Sequence, residues 1–195
     1  MRLHYMGSYN LDPASLPRRP HRPGAKPFKE VQDTKALSLI ANGICVVTII
    51  LLGSLIFLRY REDLKVFSQS RFQLILGCLL PMICLYPHEL LHALCFKEDV
   101  YVYSNLKQGM LFVVGPEDMS RGRVIFMSLL PNILFGFIPY VIGMLWPELI
   151  FFAAFGTIST GMGGGDYYNV FNTLLQTPKN ALVYMHGLQS YWYVP

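Results

Sequence analysis

Residues 37–58 form 22 consecutive positions without a charged side chain. As a helix rising 1.5 Å per residue, such a run is about 33 Å long, enough to cross the hydrocarbon core of a bilayer. A chain that must place this segment in lipid has few architectures open to it. The composition agrees, with 53% hydrophobic residues, 14% charged residues and a mean hydropathy of +0.37 over 195 residues. These values depart from those of an ordinary soluble domain. Three further apolar runs follow, at residues 72–94, 124–145 and 148–163. The expected fold is therefore an all-α membrane protein with four transmembrane helices, and the lipid bilayer is its first partner.

Residues 1–35 are basic and Pro-rich, and they are expected to form a disordered tail ahead of a membrane-embedded domain at residues 36–195. Residues 29–35 could serve as a short interfacial helix. The tail lacks an apolar core, so no cleavable leader is expected. Between the second and third runs, Val100-Tyr101-Val102-Tyr103 and Met110-Leu111-Phe112-Val113-Val114 flank a polar turn and predict a β-hairpin. A β-like segment closes the chain, with His186 in its turn. Cys45, Cys78, Cys84 and Cys95 lie in or beside apolar runs and form no C-x-x-C pair, so a disulfide framework is not expected. The net charge of +4 does not point to nucleic acid. With four spans, the tail, the second loop and the C-terminal segment share one side. That side carries most of the 16 Lys and Arg residues, which puts both termini in the cytoplasm.

Near the end of the second run stands Pro87-His88-Glu89-Leu90-Leu91-His92-Ala93. In a helix, His88 and His92 fall one turn apart on one face. Two imidazoles so spaced can hold one zinc ion, and Glu89 can act as general base toward water. By composition, a chance H-E-x-x-H in a chain this short has a probability of roughly one per cent or less. Ionisable residues in an apolar span are costly and point to function. The bland alternative is a buried hydrogen-bond cluster at the membrane boundary. Pro87, just before the motif, is expected to bend the helix there.

The second and fourth runs cross the membrane in the same direction. From Phe72 to His88 is about 24 Å of helix, and from Glu148 to Asp166 about 27 Å. Asp166 should then reach the level of the two histidines and could be the third ligand, leaving a fourth position open as a catalytic zinc requires. Asp166 could instead cap the helix that begins at Tyr167. The preceding Gly163-Gly164-Gly165 suggests an unwound segment, which at membrane depth is tolerated only where it is buried or lines a cavity. Cys95, one turn beyond His92, is the alternative ligand, with Glu98 and Asp99 further out.

These residues resemble the site-2-protease-like intramembrane zinc metalloproteases, and more closely a bacterial membrane family of zincin-like peptidases with H-E-x-x-H and a later Gly-Asp motif. The resemblance rests on His88-Glu89-Leu90-Leu91-His92 and on Gly165-Asp166-Tyr167-Tyr168-Asn169, and it covers residues 28–195. It implies zinc held by His88, His92 and Asp166, with Glu89 as the base and Asn169 shaping the site. The site-2-protease pattern has Asn-Pro followed by Asp-Gly near the third ligand. Here Asn132 follows Pro131, and Gly165 precedes Asp166.

The function expected is a zinc metalloprotease of the membrane, hydrolysing a peptide bond of a membrane protein or peptide near the cytoplasmic face. Asn169 or Asn132 would donate to the oxyanion, and the hairpin would hold the extended substrate as an added strand. The alternative is a non-catalytic membrane adaptor that keeps a closed structural zinc site. A metal channel is weaker, because the other spans carry no series of polar residues.

Overall fold

The computed structural model describes residues 1–31, 33–105 and 110–195. In chain order the elements are β1 (Arg2–Ser8), β2 (Lys26–Pro27), α1 (Thr34–Tyr60), α2 (Lys65–Gln69), α3 (Arg71–Ile83), α4 (Leu85–Leu94), β3 (Asp99–Asn105), β4 (Met110–Val114) and β5 (Met119–Ser120). A continuous helical run follows, made of α5 (Arg121–Pro131), a π-helical stretch (Asn132–Phe137) and α6 (Ile138–Leu145). Then come α7 (Ile150–Met162), α8 (Gly164–Gln176), β6 (Leu182–His186) and β7 (Gln189–Tyr193). The chain divides into two units, Met1–Gln32 with Tyr86–Ser128 and Asn169–Pro195, and Asp33–Leu85 with Leu129–Tyr168.

In the helical unit, Asp33 caps α1 by accepting the Ala36 N–H at 2.9 Å. α7 carries buried Ile150, Ala153, Ala154, Phe155, Gly156 and Thr157, and it packs against α1, α3 and α6. Glycine sets the closeness of that packing. A Cβ at Gly77 would lie 2.6 Å from the Phe151 carbonyl oxygen, and one at Gly156 would lie 2.6 Å from that of Gly136. Small residues at helix contacts let the backbones of apolar helices approach closely. The outer side of α1 shows Leu39, Val46, Val47, Ile50, Leu51 and Leu55 exposed.

The prolines explain two interruptions. Pro87 has no N–H to give the Ile83 carbonyl, and the second apolar run breaks at Cys84 into α3 and α4. The expected bend therefore falls one turn before the motif. Pro139 likewise has no N–H, and the turn ahead of it widens, with the Ile138 N–H reaching back to the Ile133 carbonyl.

Mostly helical structure is as expected; four spans and an all-α fold are not. Among the described residues two helices, Lys35–Tyr60 and Arg121–Leu145, are long and apolar enough to cross a membrane, and α3 with α4 passes only as a broken pair. α7 has 13 residues, about 20 Å, which falls short of a bilayer core.

The other unit holds two small sheets, in the orders β1-β3-β4 and β2-β7-β6-β5. The expected hairpin is present as β3 and β4, with Tyr101 opposite Val114 and Asn105 opposite Met110; its turn at 106–109 lies outside the described residues. The C-terminal hairpin is β6 and β7.

The tail is not free. β1 runs parallel to β3, and Lys26–Pro27 pairs with β7. Its sparse apolar residues do the anchoring: Leu16 is buried with Tyr103 and Val114, and Phe28 is buried too. Arg19 and Arg22 both bind Asp118, at 3.1 and 2.5 Å. The expected interfacial helix at 29–35 is absent over its described residues before Thr34. There the Phe28 N–H donates to the Ser190 carbonyl at 2.9 Å and the Lys29 N–H to Gln176 Oε1 at 2.7 Å.

Candidate metal centre

α4 presents the motif. Among the described residues, one ligand atom each from His88, Glu89 and His92 lies within 4.8 Å of the others. His92 is 7% exposed and His88 is half-buried. The two Nε2 atoms stand 3.2 Å apart. Two nitrogens bound to one tetrahedral zinc at 2.0–2.1 Å would be separated by about 3.3 Å, so the pair fits that ion.

His92 Nδ1 lies 2.9 Å from the Met127 carbonyl oxygen. A carbonyl only accepts, so Nδ1 carries the hydrogen and Nε2 of the neutral ring keeps its lone pair toward His88. Orientation of a ligating imidazole by its second nitrogen is the usual support of a metal site. Sequence reasoning missed Met127, because a backbone carbonyl 35 residues away leaves no side-chain signal.

A second brace holds the end of α4. Glu117, 5% exposed, accepts from the Lys97 and Glu98 N–H groups at 2.6 and 2.9 Å. It pairs with Arg123 at 2.6 Å, and the Arg123 guanidinium also donates to the Cys95 carbonyl at 2.9 and 2.5 Å. Burial alone would push the Glu117 carboxyl up. The two backbone N–H groups and Arg123 outweigh it and hold the group below the ordinary value of 4.5.

The other predicted residues are distributed as follows. Cys95 is outside the gathered group, with its thiol directed to the Leu91 carbonyl at 3.5 Å. Glu98 pairs with Arg19 at 2.6 Å, and Asp99 lies 3.6 Å from His4. His186 Nδ1 meets the Arg19 carbonyl at 2.9 Å. Asn169 is exposed and lines a cavity of about 70 Å³ together with Met127, Ser128, Asn172 and Thr173.

Asp166 and Asn132 belong to the helical unit, and it brings them together. α7 ends at Met162 and α8 begins at Gly164, so the glycine run breaks the helix at Gly163 alone. Asp166 sits inside the first turn of α8 rather than at its cap, where a carboxylate is favoured by the helix dipole. Asn132 Nδ2 donates to Asp166 Oδ2 at 2.7 Å.

A sequence profile of the family described as "Putative zincin peptidase" matches residues 82–182. The chain belongs to this family. The matched region begins before the His88-Glu89-His92 group and extends past Asp166. A zincin family implies zinc, and the histidine pair is spaced for it. No curated protein and no solved structure matches the chain.

Proposed function

We propose that the protein is a zinc metallopeptidase of the membrane that hydrolyses a peptide bond near the cytoplasmic face. The reading is carried by one observation: two imidazole Nε2 atoms 3.2 Å apart on α4, with Glu89 between them. Zinc would be held by His88, His92 and Asp166. When bound, it would supply Lewis acidity toward the scissile carbonyl and the attacking water.

The protein's own groups do the rest. The Met127 carbonyl keeps His92 in the ligating tautomer. Glu89 takes a proton from water as its oxygen adds to the carbonyl carbon, then delivers that proton to the amine as the C–N bond breaks. Asn169, exposed and lining a cavity that Met127 also lines, is suited to donate to the oxyanion. Asn132 is less suited, being 4% exposed with Nδ2 directed to Asp166. β1 already occupies the outer edge of β3, so the free edge of the hairpin is that of β4, where an extended substrate strand would pair.

Membrane placement is supported by the two long apolar helices and the exposed apolar side of α1. The substrate class is a membrane protein or membrane-bound peptide.

The test uses the full chain in detergent or liposomes. Glu89→Gln should keep zinc at the parent stoichiometry and lose at least about 100-fold in cleavage of a membrane peptide library. Cleavage at the parent rate would remove Glu89 from the mechanism. Zinc bound by the parent without any cleavage would favour the non-catalytic adaptor.

A further inference from the structure

Asn132 opens the π-helical stretch and is 4% exposed. Its side chain bridges two residues of α8. Nδ2 donates to Asp166 Oδ2 at 2.7 Å, and Oδ1 receives the Tyr167 hydroxyl at 3.2 Å. That hydroxyl has a single hydrogen, which it shares between Oδ1 and the nearer Thr160 carbonyl of α7 at 2.9 Å. The amide lies flush against Gly163: an added Cβ there would overlap Oδ1 and stand 2.6 Å from Cγ. Contacts on these sides fix both the position and the direction of the amide.

An ionised carboxylate only accepts, so an amide nitrogen is the end of Asn132 that must face Asp166. A carboxylate that ligates a metal uses one oxygen on the ion, and its second oxygen is steadied by a hydrogen bond. We infer that Asn132 is a positioning residue for zinc: it orients the Asp166 carboxylate as a ligand, and Tyr167 and Gly163 hold Asn132 in place. This rests on the reading of Asp166 as the third ligand. It assigns Asn132 a role other than oxyanion donor. The widened turn that begins at Asn132 then has a use, since π-helical turns recur where a side chain is re-aimed at a site.

The experiment is a zinc titration against a chromophoric chelator on the detergent-solubilised full chain. It compares the parent with Asn132→Ala, Asp166→Ala and the double variant, with the melting temperature of each recorded. Asn132→Ala should weaken zinc binding about 10- to 100-fold, the range for loss of a residue that orients a ligand. In the Asp166→Ala background the same substitution should have no further effect, because Asn132 acts only through that carboxylate. Tyr167→Phe is the milder variant should Asn132→Ala not fold; it should weaken zinc binding less, again only where Asp166 is present.

If Asp166→Ala weakens zinc binding but Asn132→Ala and Tyr167→Phe stay at parent affinity, this inference fails and the ligand reading stands. Equal losses with and without Asp166 would also overturn it, since Asn132 would then act by another route. Parent affinity in Asp166→Ala would overturn the ligand reading and this inference with it.

Discussion

In the helical unit, buried hydroxyls reach backbone carbonyls: Tyr60 to Gly143 at 2.6 Å, Tyr140 to Leu52 at 3.2 Å and Thr157 to Ala153 at 2.8 Å. Its helices approach through Gly77, Gly136, Gly143 and Gly156. The sheet-bearing unit is held differently, with ion pairs of Glu117 and Asp118 to arginines and strand ladders that join distant segments. On the proposed placement of the helical unit in a membrane, the difference follows from solvent. Where lipid replaces water there is no hydrophobic gain in joining helices, so close backbone contact and satisfied carbonyls must do the work. Where water is present, burial and charge pairing both contribute. Each unit should therefore fail under its own kind of perturbation.

The largest effect is expected from Gly156→Val. Its Cβ would lie 2.6 Å from the Gly136 carbonyl oxygen and 2.7 Å from Tyr140 Cα, and neither backbone atom can move aside alone. A loss of ~3 kcal/mol is expected, read as a lowered midpoint in thermal or denaturant unfolding in detergent. Gly122→Ala in α5 is the control: nothing lies within 4 Å of its Cβ position, so stability should hold or rise slightly. Equal effects from the two substitutions would remove glycine packing as the basis of the contrast.

The next effect separates the units by acid. The folded state holds Glu117 below its ordinary value of 4.5, so its contribution is present above that value and is lost as pH falls through the lower, folded one. The sheet-bearing unit should lose stability over that acidic window, and Glu117→Gln should flatten the dependence. Arg123→Met should cost about 3 kcal/mol at neutral pH, because Glu117 stays buried without its cation. Hydrogen exchange of β3 and β4 amides, followed against pH in parent and variant, is the measurement. A parent profile that is flat through the acidic range would show that the pair does not brace α4.

Local features were legible in the sequence and remote ones were not. His88 and His92 are one turn apart on any helix, so their convergence needed no tertiary knowledge. The break before the motif was legible in kind, through Pro87, but its position at Cys84 depends on which carbonyl the missing N–H leaves unpaired. The support of His92 by Met127 and of Asp166 by Asn132 spans 35 and 34 residues, respectively, and is decided by packing. The N-terminal segment misled for the same reason. Its proline and arginine content argues for disorder, while the partners that order it, β3, β7 and Asp118, come some 90 or more residues later. Apolar length located the helices well. It overstated α7, whose run of small residues suits a helix buried among others.

The smallest expected effect bears on that N-terminal segment. Asp118 accepts from Arg19 and Arg22, and these pairs are partly exposed, so they should be weak and sensitive to salt. Asp118→Asn should leave the helical unit untouched and raise trypsin cleavage after Arg18 severalfold, Arg19 and Arg22 being shielded from trypsin by Pro20 and Pro23. Added salt should raise cleavage of the parent in the same direction, and should do little to the variant. β1 is held by its ladder to β3 and not by these charges, so exchange at the amides of 2–8 should change less than cleavage does. If the parent is cut after Arg18 as fast as an unstructured peptide of the same sequence, the segment is a tail after all. The contrast between the units would then rest on Glu117 and Arg123 alone.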